Sequence, residues 1–285
     1  NPENAVRFLQ EAANFGDPSA QTSLGYLYAM GTGVPKDQEQ ALRWFKRAAA
    51  EHYAPAAYDL GLMLLEPGIH HDEKAGADWL SKAAQRGLAP AQANLAMLYV
   101  KGIGVARNEN EARRLVKKAA DQRFAPAEFL LGTMYASGTG GKKDAGEAAR
   151  WYRKAAEQGH AQAQNNLAGL YRNGVGVTRN IEEAIKWYRL AANQGEPTSY
   201  SNLMRVYADD RYLAPNYSEA YRWALFAMQN PSPFSRPIPD DFIESLRTRL
   251  SPDDRARIEA DVQRWMSAHP ARANAMQAAA NWPSK

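Results

Sequence analysis

Residues 18–49 read PSAQTSLGYLYAMGTGVPKDQEQALRWFKRAA. Ala20, Leu24, Leu27 and Tyr28 fall at i, i+4, i+7 and i+8, which gathers them on one face of a helix. Gly31-Thr32-Gly33-Val34 then breaks that helix, because glycine takes the left-handed conformation that ends a helix without steric cost. Asp37 is placed to cap the second helix. Ala41, Trp44, Phe45, Ala48 and Ala49 again recur at helical spacing, and the alanines allow close approach of a neighbouring backbone. The stretch predicts two helices joined by a glycine turn, with the Trp44 position turned to the interior.

Outward from this stretch the same pattern recurs at a fixed period. Leucine stands at 24, 60, 95, 131, 167 and 203, in steps of 35 or 36. A second register runs through Trp44, Trp79, Leu115, Trp151, Trp187 and Trp223. A third is the alanine pair at 48–49, 83–84, 119–120, 155–156 and 191–192. Gly87, Gly159 and Gly195 end their second helices, where His52 and Arg123 hold the same place. Pro18, Pro55, Pro90, Pro126 and Pro197 open first helices, where a missing N–H costs nothing. Residues 2–15 supply a leading second helix through Ala5, Phe8, Leu9, Ala12 and Ala13. No single pair can bury its own apolar stripe, so the pairs must stack. The expected fold is all-α: a right-handed superhelical solenoid of stacked antiparallel helix pairs over 1–230, a half repeat plus six units.

Beyond Asn230 the period stops. Pro231, Pro233, Pro237 and Pro239 predict a stiff connector. A helix bearing Phe242, Ile243, Leu246 and Leu250 comes next, and Ser251-Pro252 with Asp253 and Asp254 starts another. Ile258, Val262, Trp265 and Met266 form its stripe, so 231–285 reads as a connector and C-terminal capping helices.

Composition narrows the function. An apolar share of 45% suits a chain with a core, and 35 basic against 31 acidic residues leave a net charge of +4. The basic residues do not cluster, which argues against a nucleic-acid partner. No uncharged apolar run reaches bilayer-spanning length, so no membrane span is expected. The absence of cysteine excludes disulfides, thiolate metal sites and a cysteine nucleophile. His70-His71-Asp72-Glu73 holds metal-ligand residue types. Adjacent histidines diverge on an extended chain and no second cluster exists, so the run reads as a surface loop, with no metal and no cofactor expected. The G-x-G turns come after helices and lack the P-loop lysine, so they read as turns. No G-x-S-x-G, Ser-x-x-Lys or H-E-x-x-H occurs.

The pattern A-x-A-x-x-x-L-G-x-x-Y, G-x-G-V, A-x-x-W-x-x-x-A-A-x-x-G resembles the Sel-one-like repeat family, a relative of the tetratricopeptide fold. The resemblance covers about four-fifths of the chain. It implies an adaptor, in quality-control complexes, envelope assembly, host interaction or neutralisation of secreted toxins. Members proposed as β-lactam hydrolases make the missing Ser-x-x-Lys pertinent. Three turns depart from the pattern: 67–72, 138–143 and 209–215.

One set of residues exceeds what packing needs. Positions two before, two after and five after each signature leucine lie opposite the packed stripe and, in such a superhelix, should face the concave surface. They read Tyr26; Tyr58, Leu62 and Leu65; Met97 and Val100; Phe129; then polar Asn165, Arg172 and Arg205. A contiguous apolar patch of this kind marks an interaction surface. The reading is a non-catalytic, monomeric protein that binds another protein, such as a secreted toxin or an envelope protein, from the periplasm or cell envelope. The alternatives are an envelope scaffold and a hydrolase with an unrecognised site.

Overall fold

The computed structural model describes residues 2–68, 70–211, 214–231 and 237–268. Ile69, Tyr212, Leu213 and Pro233 of the loops named from the sequence lie outside the described residues, as does 269–285. Among the described residues there are fifteen α-helices and no strand. The leading helix is α1 (Pro2–Asn14). Pairs come after it: α2 (Pro18–Met30) with α3 (Gln38–Ala50), α4 (Ala54–Leu65) with α5 (Glu73–Gln85), and α6 (Ala89–Lys101) with α7 (Glu109–Ala120). In chain order come α8 (Ala125–Ser137) and α9 (Ala145–Glu157), then the pairs α10 (Ala161–Asn173) with α11 (Ile181–Asn193) and α12 (Pro197–Ala208) with α13 (Tyr217–Gln229). Two trailing helices are α14 (Asp240–Arg247) and α15 (Pro252–Ala268).

The chain forms two compact units, 1–143 and 144–285. Inside each, the helices through α13 pack on the next in sequence, and α14 and α15 both pack on α13. The signature leucines are the common core: Leu24, Leu60, Leu131, Leu167 and Leu203 are wholly buried and Leu95 nearly so. Truncating one of them to alanine would cost about 2–5 kcal/mol.

The helix boundaries result from the local chemistry. Asp37, Asp72, Asn108, Asp144, Asn180 and Asn216 each accept the backbone N–H three residues on, at 2.9–3.1 Å. Such caps each contribute about 1 kcal/mol. The first glycine of the turn is a left-handed C-cap, as at Gly31 with φ 73°. The second glycine is needed for a different reason: a Cβ on Gly104 would stand 2.0 Å from the Glu73 carbonyl oxygen, and one on Gly176 2.1 Å from that of Ala145. It lets the turn lie on the start of the previous pair's second helix.

The tryptophan register requires a correction. Only Trp151 is buried; Trp44, Trp79, Trp187 and Trp223 are half-buried. The interior position is the next residue, occupied by Phe45, Leu80, Val116, Tyr152, Tyr188 and Ala224, all buried. One residue is 100° of helix, so the indoles sit on the flank of the seam. There Trp151, Trp187 and Trp223 donate their N–H to the glutamate one turn earlier, at 3.0–3.2 Å. Cations cover four of the rings: Arg47 over Trp44, Lys82 over Trp79, Lys154 over Trp151 and Lys186 over Trp187. The small residue after the signature leucine makes room for the true core side chain. A Cβ on Gly25 would meet the Phe45 ring at 2.7 Å, and one on Gly61 would meet Leu80 at 2.9 Å.

In the unit 144–285, α14 and α15 pack on α13. Leu246, Ile258 and Val262 are buried there, with Phe242, Ile243, Leu250, Trp265 and Met266 packed alongside. Ser251 caps α15 by accepting the Asp254 N–H at 3.1 Å.

Candidate partner-binding face

In the unit 1–143 the first helices α2 and α4 touch along one side, as do α6 and α8. The apolar residues picked from the sequence lie on these helices. Tyr26 is exposed at 48%. Tyr58, Leu62, Met97, Val100 and Phe129 are half-buried. Leu65 is also half-buried, but it turns toward its partner helix, so close to Gly76 that a Cβ there would approach Leu65 to 2.7 Å. Leu65 therefore belongs to the seam of its own pair.

Polar groups that the sequence pattern does not single out stitch this face together. The Tyr26 hydroxyl donates to Asp59, and Asn94 Nδ2 donates to the Tyr58 hydroxyl oxygen at 3.0 Å. Asp59 is 7% exposed. Burial outweighs the Tyr26 bond and pushes its carboxyl up to about 6. Burial, reinforced by the Asp59 charge, also raises the Tyr26 and Tyr58 hydroxyls above the usual phenol range. Both tyrosines are fixed donors and acceptors, neutral at physiological pH. A recurrent polar residue just before the signature leucine (Asp59, Asn94, Asn166, Asn202) was the available signal.

A second polar series locks successive pairs together from inside. Gln21, Gln92 and Gln164 are buried three residues before the signature leucine. Each donates its side-chain amide to the carbonyl of an alanine ending the preceding second helix: Ala13, Ala84 and Ala156, at 3.0–3.1 Å. The Tyr200 hydroxyl does the same to Ala192 at 3.2 Å. Glutamine reads as surface in a sequence; only the recurrence at the repeat period betrays a buried role.

In the unit 144–285 the equivalent positions are polar. Asn165 Oδ1 accepts from Ser199 Oγ at 3.1 Å and from Asn202 Nδ2 at 3.0 Å. Arg172 Nη1 donates to Asn202 Oδ1 at 3.4 Å. Arg172 and Arg205 line one cleft of about 460 Å³ with Ala208, Asp209, Arg211 and Phe242. Both predicted arginines are thus brought together, and Arg211 is held by Asp209 through bonds of 2.6–3.1 Å.

Chemically the face offers apolar contact and neutral hydrogen-bonding groups. His70 Nε2 lies 3.3 Å from Glu39 Oε1, and no cluster of three or more His, Asp or Glu that could hold a metal occurs among the described residues. Among the same residues, no helix is long and apolar enough to cross a membrane.

Comparison with known proteins places the fold. Among solved structures, the chain is similar to a Sel1 repeat protein from Oxalobacter formigenes, with 31% identity, a TM-score of 0.70 and coverage of 83% of this chain and 94% of that one. It is also similar to c5321, a protective antigen of uropathogenic Escherichia coli displaying an SLR fold, at 23% identity and a TM-score of 0.56, covering 100% of this chain and 76% of that one. The immunity protein Pa5087 of Pseudomonas aeruginosa shares 25% identity at a TM-score of 0.46, over 66% of this chain and 72% of that one. No curated protein matches. The Sel1 repeat model matches residues 1–17, 18–53, 54–88, 89–124, 125–160 and 161–196. That run leaves the pair α12 and α13 outside the match although it keeps the same geometry, and it covers well over half of the 285 residues. The chain belongs to the Sel1 repeat family.

Proposed function

We propose that this chain is a protein-binding repeat protein, an adaptor or inhibitor that holds its partner against the first-helix face of α2, α4, α6 and α8. One observation carries the reading. Tyr26, Leu62, Met97 and Val100 leave apolar surface open to water on consecutive first helices, although the leucines and alanines already secure the pairing of those helices. Apolar surface spread over neighbouring elements, with fixed polar groups between, is the composition of a protein interface. Membership of a family whose members are generally protein-interaction scaffolds supports it. The partner class we propose, a secreted toxin or an envelope protein met in the periplasm or cell envelope, rests on the family resemblance. In the unit 144–285, Arg172 and Arg205 supply polar contacts.

Site-specific photo-cross-linking tests this reading. A cross-linker at Met97 should capture a protein from the envelope fraction of the producing cell, and one at exposed Lys46 on α3 should not. Absence of any adduct at 97, or equal capture at both positions, would refute it.

A further inference from the structure

A cleft of about 350 Å³ lies in the unit 144–285, walled by α11, α13 and α15 with Tyr200 of α12 as its floor. This is within the range of small-molecule sites, roughly 300–1,000 Å³. Its walls are aromatic. Trp223 and Phe226 of α13 stand 5.5 Å apart, Phe226 meets Trp265 edge-on at 5.1 Å, and Tyr200 stacks on Phe226 at 5.7 Å. The corresponding cleft of the second pair, about 330 Å³ at Ala49, Ala57 and Trp79, has alanine for a floor and Lys82 in its wall, over the indole. At the α13 site the residue equivalent to Lys82 is Phe226, and the capping helix adds Trp265. The same fold position has been converted from a cation-covered seam into an aromatic-lined cleft.

The charged groups around it do not balance. Glu219 is engaged by Arg189 at 2.9 Å, by Arg222 at 3.4 Å and by the Trp223 N–H at 3.1 Å. Asp261 is paired with Arg264. The lining itself holds Arg189 and Arg222 against Glu219 and Asp261, and because Arg264 compensates Asp261 from outside the lining, one positive charge is left in excess. Arg222 holds donors in reserve, its contact with Glu219 being long at 3.4 Å. A guanidinium carries five N–H donors in a planar fork suited to a carboxylate.

We propose that this cleft binds a small aromatic carboxylate, its ring against Trp223 and Trp265 and its carboxylate on Arg222. The site is separate from the first-helix face, and its test is independent of that face's role.

Isothermal titration calorimetry of the full chain with three isosteric probes decides the matter: 2-naphthoate, 2-naphthalenemethanol and 2-naphthylmethylammonium. The carboxylate should bind about tenfold or more tighter than the neutral alcohol, and the cation more weakly than either, since a charge-assisted bond is the difference between them. Arg222→Gln should reduce naphthoate to the affinity of the alcohol and leave the alcohol unchanged. Equal affinities for the three probes, preference for the cation, or no heat with naphthoate at a few millimolar would overturn the proposal on the unaltered chain. Unchanged naphthoate affinity in a folded Arg222→Gln variant would overturn it as well.

Discussion

Asp59→Asn should stabilise the protein at pH 8 and leave it nearly unchanged at pH 4. Asp59 is buried between α2 and α4, and its folded carboxyl titrates at about 6 against an ordinary 3.8. A carboxyl whose folded value is raised adds its full share of stability below about 4 and loses it as pH climbs through 6. The gap corresponds to about 3 kcal/mol at 1.36 kcal/mol per pH unit, and water at the edge of the face lowers the expected effect to about 2 kcal/mol. Asparagine keeps an oxygen to accept the Tyr26 hydroxyl and carries no charge to desolvate. Burial depresses His160, whose contribution therefore runs the opposite way, being lost as pH falls; comparing variant with wild type at each pH cancels it. Urea denaturation at pH 4, 5, 6, 7 and 8 should show the difference opening between 4 and 6 and levelling above. A constant difference across that range, or a variant weaker than wild type at pH 8, would refute the assignment of Asp59 as a buried, charge-penalised group.

Two further outcomes are expected. Phe45→Ala should cost about 3–5 kcal/mol in denaturant unfolding and Trp44→Ala clearly less, because the ring at 45 is buried against Gly25 while the indole at 44 lies on the flank; equal losses would restore the tryptophan row to the core. His52 and Arg123 hold left-handed backbone at φ 63° and 62° where other pairs have glycine, so His52→Gly and Arg123→Gly should each raise stability by about 1 kcal/mol, measured the same way.

Much of this architecture was legible in the sequence. The step of 35 or 36 residues, the aspartate and asparagine caps and the trailing helices all rest on local chemistry that a sequence displays. The reading slipped where two neighbours satisfy the same period. Trp44 and Phe45 both fit a helical stripe, and only the packing of Phe45 on Gly25 shows which one is inside. Gln21, Gln92 and Gln164 carry no local signal because their amides find partners only in the preceding helix. Asp59 likewise carries no local signal, only its recurrence as a polar residue before the signature leucine, its partner Tyr26 being 33 residues away. Of the candidate face, Tyr26, Leu62, Met97 and Val100 keep open surface, whereas Leu65 is spent on its own pair.

We propose that the first-helix face binds a protein while the second-helix seams hold the fold. The most direct test pairs thermal stability with affinity for the cross-linked partner in Leu62→Ala and Met97→Ala. Melting should stay close to wild type and affinity should weaken about thirtyfold or more, the effect of losing a central anchor. Lost stability with affinity per folded molecule intact would show these side chains to be core, and would contradict it.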